Sequence, residues 1–110
     1  MNFVDEQLKI CQRFSSDFVP PDEIQKVGIA LDSLQILPLN ALRLPPEEGT
    51  CGWYIWGGEM STSPDFFAPL HVSHLPEKCP ALVPYLALSP GWRVQLAPGH
   101  EDAWFDDELR

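Results

Sequence analysis

His71, His74 and Cys79, followed by His100-Glu101-Asp102, are the residue types in this chain best suited to holding a metal or moving a proton. Imidazole, thiolate and carboxylate groups ligate zinc and other transition metals. The spacing argues against that chemistry. No Cys-x-x-Cys or His-Glu-x-x-His motif is present. Positions three apart on a strand point to opposite faces, so His71 and His74 would need a helix or turn to share an ion. Backbone hydrogen bonding, or capping of a following helix, accounts for both histidines more simply. Nucleophilic catalysis has no better support. Ser61, Thr62, Ser63 and Ser73 lie near the histidines, but no Gly-x-Ser-x-Gly elbow exists. Cys79 precedes Pro80 and reads as a packed thiol at a helix start. Glu101 and Asp102 are neighbours of the kind usually solvated in a turn rather than paired for acid–base work. Gly57-Gly58 is too short to cradle a phosphate. These residues predict no enzymatic activity, no cofactor and no metal site.

The acidic side chains say more. Sixteen Asp and Glu against seven Lys and Arg give a net charge of −9 in 110 residues. A field of that sign repels nucleic acid and anionic membrane, and it speeds the encounter with a basic protein. Solubility alone is the plainer explanation. Glu47, Glu48 and Glu59 flank the run Trp53-Tyr54-Ile55-Trp56, and Glu101, Asp102, Asp106, Asp107 and Glu108 surround Ala103-Trp104-Phe105. If those two runs are neighbouring strands, acids and exposed rings gather at one edge, with aromatic anchors inside a steering rim. The alternative is that alternation turns the rings inward and the acids to water. Trp53 and Trp92 are expected inward, and Tyr54 and Trp104 are left open. The candidate partner-binding residues are Glu47, Glu48, Glu59, Asp102, Asp106 and Asp107.

The elements that must position these groups form one domain of α+β class over residues 1–110. Residues 2–18 read as an amphipathic helix, with Val4, Leu8, Cys11, Phe14 and Phe18 on one face and Pro20-Pro21 as its stop. Residues 22–37 read as a helical turn opened by Asp22 and Gln25, then a strand through Val27, Ile29 and Leu31. Residues 38–50 read as a loop, with Pro45-Pro46 and Glu47-Glu48-Gly49 as breakers. Trp53–Trp56 reads as a central strand, residues 59–65 as a polar turn, and Leu70 and Val72 as a short extended piece. A second helix is expected near 76–87, bent at Pro84. Trp92–Ala97 alternates as a strand, and Pro98-Gly99 turns the chain so that Ala103–Phe105 pairs back as a hairpin. The expected architecture is a small, mainly antiparallel sheet with both helices packed on one side. No basic start followed by an apolar stretch suggests an export signal, and no run reaches membrane-spanning length. Three widely spaced cysteines, Cys11, Cys51 and Cys79, suggest reduced thiols in a cytoplasmic protein.

Several blocks in order carry a family resemblance: Gly52-Trp53-Tyr54-Ile55-Trp56-Gly57-Gly58-Glu59, Asp65-Phe66-Phe67, Pro69-Leu70-His71-Val72, His74-Leu75, Pro90-Gly91-Trp92-Arg93 and Glu101-Asp102-Ala103-Trp104-Phe105-Asp106. Over this C-terminal half, the chain resembles the immunity-protein-33-like family of bacterial polymorphic toxin systems. Leu39 to Pro46 extends the likeness upstream. The resemblance implies a non-enzymatic protein that binds a cognate toxin and protects the producing cell, and it implies no catalytic residues. Its shared blocks are as well suited to a structural role, because immunity proteins vary where they meet the toxin. A regulatory or scaffold domain is the second reading of the sequence, and a metal-dependent hydrolase using His71, His74 and His100 is the third.

Overall fold

The computed structural model describes residues 3–109. Its centre is a six-stranded sheet built from β1 (Lys26–Ile29), β2 (Leu39–Arg43), β3 (Thr50–Gly57), β4 (Ala68–His71), β5 (Trp92–Ala97) and β6 (His100–Phe105), in the order β4-β1-β3-β2-β5-β6. Every neighbouring pair is antiparallel except β1 and β3. The α+β class and the mainly antiparallel sheet are therefore as the sequence suggests.

One face of the sheet carries the main core. Val27, Leu39, Ala41, Trp53, Ile55 and Val94 pack there against α1 (Val4–Phe14), α2 (Leu75–Lys78) and a 3-10 helix, Pro80–Tyr85. Trp53 is fully buried and Trp92 nearly so, as expected from alternation. The other face has a smaller apolar cluster of Ala30, Leu42 and Trp56, flanked by Leu44, Tyr54, Phe66, Phe67 and Leu109. Phe67 sets its ring edge-on to Tyr54, Trp56 and Phe66 at centroid distances of 5.2, 6.0 and 4.9 Å. Gly28 lies in β1 under the Tyr54 ring, which a Cβ there would strike. It makes room for that ring within the strand.

The N-terminal helix is shorter than the expected 2–18, and residue 2 lies outside the described residues. Ser15 adopts a left-handed conformation at φ 62°, and the Ser16 N–H donates to Cys11 O at 2.8 Å, closing the last turn. The helix ends there, well before Pro20-Pro21. Phe18 then makes an isolated bridge to Leu88. The buried face is also rotated. Gln7 and Cys11 are buried, with Phe3, Ile10 and Phe14 packed beside them, while Val4 and Leu8 are exposed. A buried glutamine is tolerated because its amide donates to Val83 O at 3.0 Å.

Asp22 and Gln25 form the expected turn: the Asp22 N–H donates to Gln25 Oε1 at 2.9 Å and the Gln25 N–H to Asp22 O at 3.1 Å. The strand that follows stops at Ile29, and Leu31–Ser33 is a 3-10 turn. The helix expected over 76–87 divides at Cys79 into α2 and the 3-10 helix. Pro80 disfavours helical geometry at the residue before it, so the break falls there rather than at Pro84.

The largest correction is β2, a central strand inside the segment expected to be a loop. Leu39 and Ala41 face the main core, Leu42 faces the second cluster, and Arg43 is buried. A strand covered on both faces shows no polar alternation, which hid it.

Arg43 is 2% exposed, and its hydrogen-bond partners among the described residues are backbone carbonyls. Its Nε donates to Cys51 O at 2.9 Å, and one terminal nitrogen reaches the carbonyls of Val19, Leu86 and Leu88 at 2.6, 3.2 and 2.8 Å. The guanidinium carbon lies 5.8 Å from the Trp53 ring centroid, and Trp53 Nε1 donates to Leu86 O at 2.9 Å. One cation thus ties β2, β3, the chain after α1 and the chain after the 3-10 helix into a single unit.

Candidate functional site

The six candidate acids do not form one group. β3 and β6 are separated by β2 and β5, so the two aromatic runs are not neighbours and their acids do not share an edge. The register decides where each acid falls. Glu47 and Glu48 occupy the turn between β2 and β3, at the end of the sheet where Arg43 lies. The Gly91 N–H donates to Arg43 O and the Asp106 N–H to Gly91 O, each at 2.7 Å, which brings Asp106 and Asp107 to that same end. Glu59 follows Gly57 at the opposite end. Asp102 is exposed on the edge strand β6, opposite Gln95.

Asp106 is tied down rather than free. Arg93 Nε donates to its Oδ2 at 2.8 Å, and the Glu108 N–H donates to Oδ1 at 3.0 Å. The hydrogen bond from Arg93, then that from the Glu108 backbone, holds this carboxyl below the usual aspartate range. A folded pKa below the unfolded one contributes stability above the unfolded value, about 3.9. That contribution is lost as pH falls through the folded value. Asp106→Asn is therefore expected to lower the melting temperature at pH 7. The difference from the parent protein should vanish in melts run below the folded pKa, and a difference independent of pH would refute the pairing.

Neighbouring acids on β6 point to opposite faces, so Glu101 and Asp102 do not act together. Glu101 turns to the helix side, where it accepts from the Tyr85 hydroxyl and pairs with Arg13. Burial pushes the Tyr85 hydroxyl pKa up. On the opposite face Gln95 links Asn40 and His100: its amide donates to Asn40 Oδ1 at 3.2 Å, and its Oε1 lies 3.0 Å from His100 Nε2. Trp104, on this face beside Arg93, is 39% exposed.

His71 is in β4 and His100 in β6, the two edge strands of the sheet, so the third histidine is not brought to the first two. The rings of His71 and His74 are 6.2 Å apart, and neither residue makes a side-chain cap for the turn or helix it precedes. Among the described residues, no group of three or more His, Cys, Asp or Glu side chains is placed to hold a metal ion. Burial raises the thiol pKa of Cys11, Cys51 and Cys79, which disfavours the nucleophilic thiolate. No helix among the described residues is long and apolar enough to cross a membrane.

A further surface escaped the sequence reading. Leu31, Ile36, Leu37 and Met60 are 42%, 56%, 56% and 47% exposed around the end of β3. Leu31, Ile36, Phe66 and Ala68 line a groove of about 390 Å³, and Asp32 and Asp65 are among its lining residues. The loop that carries the apolar side is firmly seated. Ser33 Oγ accepts the Gly57 N–H at 2.9 Å and donates to Ala30 O at 2.8 Å, while the Gly58 N–H donates to Pro38 O at 2.9 Å. The clue in the sequence was the apolar pair Ile36-Leu37 directly before Pro38, outside any strand pattern.

The sequence model of the Imm33-like domain matches residues 6–106. No curated protein matches the chain. No solved structure matches it either. The match reaches well upstream of the C-terminal half that carried the resemblance, taking in α1, β1 and β2, in keeping with a sheet whose centre is assembled from both halves. The chain belongs to the Imm33-like domain family.

Proposed function

We propose that this protein is an immunity protein that binds a cognate bacterial toxin in the cytoplasm and neutralises it by occlusion, without catalysing a reaction. The observation that carries the reading is the family match over residues 6–106. The net charge of −9 supports a basic toxin as the partner and disfavours nucleic acid or anionic membrane. Glu47, Glu48, Asp106 and Asp107 at the Arg43 end, with Glu59 and Asp102 elsewhere, supply the steering field. Exposed acids of this kind act mainly on the association rate and its salt dependence. The direct test is co-expression with a toxin encoded by a flanking gene, followed by co-purification and a toxicity assay; flanking genes that encode no toxin would count against the proposal. Equimolar protein is expected to abolish toxin activity, and a toxin left fully active would end the proposal.

A further inference from the structure

The groove between the loop after β1 and the segment leading into β4 has a mixed lining that specifies its occupant. Leu31, Ile36 and Phe66 give it apolar surface, and the exposed Asp32 and Asp65 add two carboxylates. A purely apolar side chain would leave those charges without a counterion, and a short cation would leave the hydrocarbon surface wet. Lysine and arginine match both parts, because a methylene stem packs on apolar surface while its cationic head stays with the acids. The protein's net charge of −9 favours the same occupant and disfavours a second copy of this chain.

The seating of the loop makes the groove suitable as an anchor. Gly57 and Gly58 hold Ser33 and Pro38 by direct hydrogen bonds, so the apolar side is fixed by the end of a central strand. Little ordering is then needed on binding. Leu37, Met60 and the acid Glu59 are also exposed near the same strand end, outside the groove lining. Apolar contacts within a charged border are the arrangement in which a few residues dominate affinity.

We infer that this groove receives a lysine or arginine side chain of the toxin, with its stem along Leu31, Ile36 and Phe66 and its cation at Asp32 and Asp65. This rests on the immunity reading and names the contact within it. The test measures binding of the intact protein to the toxin encoded beside its gene, in a catalytically dead form, by surface plasmon resonance. D32N/D65N is compared with E47Q/E48Q, which removes the same charge at the opposite end of the sheet. The groove variant is expected to dissociate about tenfold faster or more, as for the loss of a seated charge pair. The control is expected to slow association while leaving dissociation within about twofold. Ile36→Ser probes the apolar side and is expected to speed dissociation as well. Equal melting temperatures of the free proteins confirm that the fold is intact. If the parent protein binds and the dissociation rates of D32N/D65N and Ile36→Ser stay within about twofold of it, the groove assignment is overturned and the immunity reading stands. If the parent protein does not bind the toxin, both fall.

Discussion

Replacing Arg43 with methionine is expected to cost about 3–5 kcal/mol of folding stability, because three carbonyls lose their donor at about 1–3 kcal/mol each and the relief from burying a cation offsets part of that. Methionine fills much of the volume and removes the cost of burying a cation. That gain is smaller than the loss, because four carbonyls were arranged around the guanidinium. Leu86 O keeps its bond from Trp53 Nε1, but the carbonyls of Cys51, Val19 and Leu88 lose this donor inside the protein. Each buried acceptor left unmet costs about 1–3 kcal/mol. Arg43→Lys keeps the charge, but a compact ammonium cannot reproduce a planar fork spanning Cys51 on one side and Val19 and Leu88 on the other. It is expected to restore less than half of the loss. Urea unfolding of the three proteins checks this, and a loss below about 1 kcal/mol for the methionine variant would show that the carbonyls find other donors. Domains of this size have only about 5–15 kcal/mol in total, so poor soluble expression is expected for the methionine form.

Arg43 also shows what a sequence hides. An arginine just before Leu44-Pro45-Pro46 looks like the first polar residue of a loop, because burial of a charge is visible only once its partners are in place. Those partners are backbone carbonyls from distant segments, and no side-chain pattern announces them. β2 was hidden by its cover on both faces, which removes the clear alternation of a half-exposed strand. By contrast, β5 and β6 were legible because Trp92, Val94 and Leu96 alternate with Arg93 and Gln95 and a Pro-Gly turn follows. Trp53 and Trp92 were correctly expected inside, Trp53 in a glycine-bounded aromatic run that suits a central strand and Trp92 by alternation with Arg93. The proposed edge of acids depended on strand order, which is set by non-local pairing. Insertion of β2 and β5 between β3 and β6 separated the two aromatic runs, so Glu47, Glu48, Asp106 and Asp107 share an end of the sheet rather than an edge. The exposed Leu31, Ile36 and Leu37 were overlooked because apolar residues are ordinarily assigned to a core, and only the fold reveals those left outside.

Gly57→Ala is expected to destabilise the protein by about 2–4 kcal/mol, within the upper part of the range for single substitutions that force a backbone shift. A Cβ at Gly57 would overlap the carbonyl oxygens of Ser33 and Ile36. Both are backbone atoms, so no side-chain rotation relieves the overlap. The chain must move where Gly57 N–H meets Ser33 Oγ and where the neighbouring Gly58 N–H meets Pro38 O. The displaced segment carries Leu31, Asp32 and Ile36, so the consequence reaches beyond stability. If the groove anchors the toxin, the alanine variant should dissociate from it faster even at a temperature where the variant remains fully folded. Gly49→Ala gives a calibrated comparison. Its φ of 81° makes alanine strained, but a Cβ there meets nothing within 4 Å, and the residue sits at the far end of β3. It should lose about 1 kcal/mol through strain alone, with toxin dissociation unchanged. Thermal melts and dissociation rates measured on both variants separate the effects. Equal dissociation rates for the two would mean that the Gly57 contacts support the fold without shaping the binding surface.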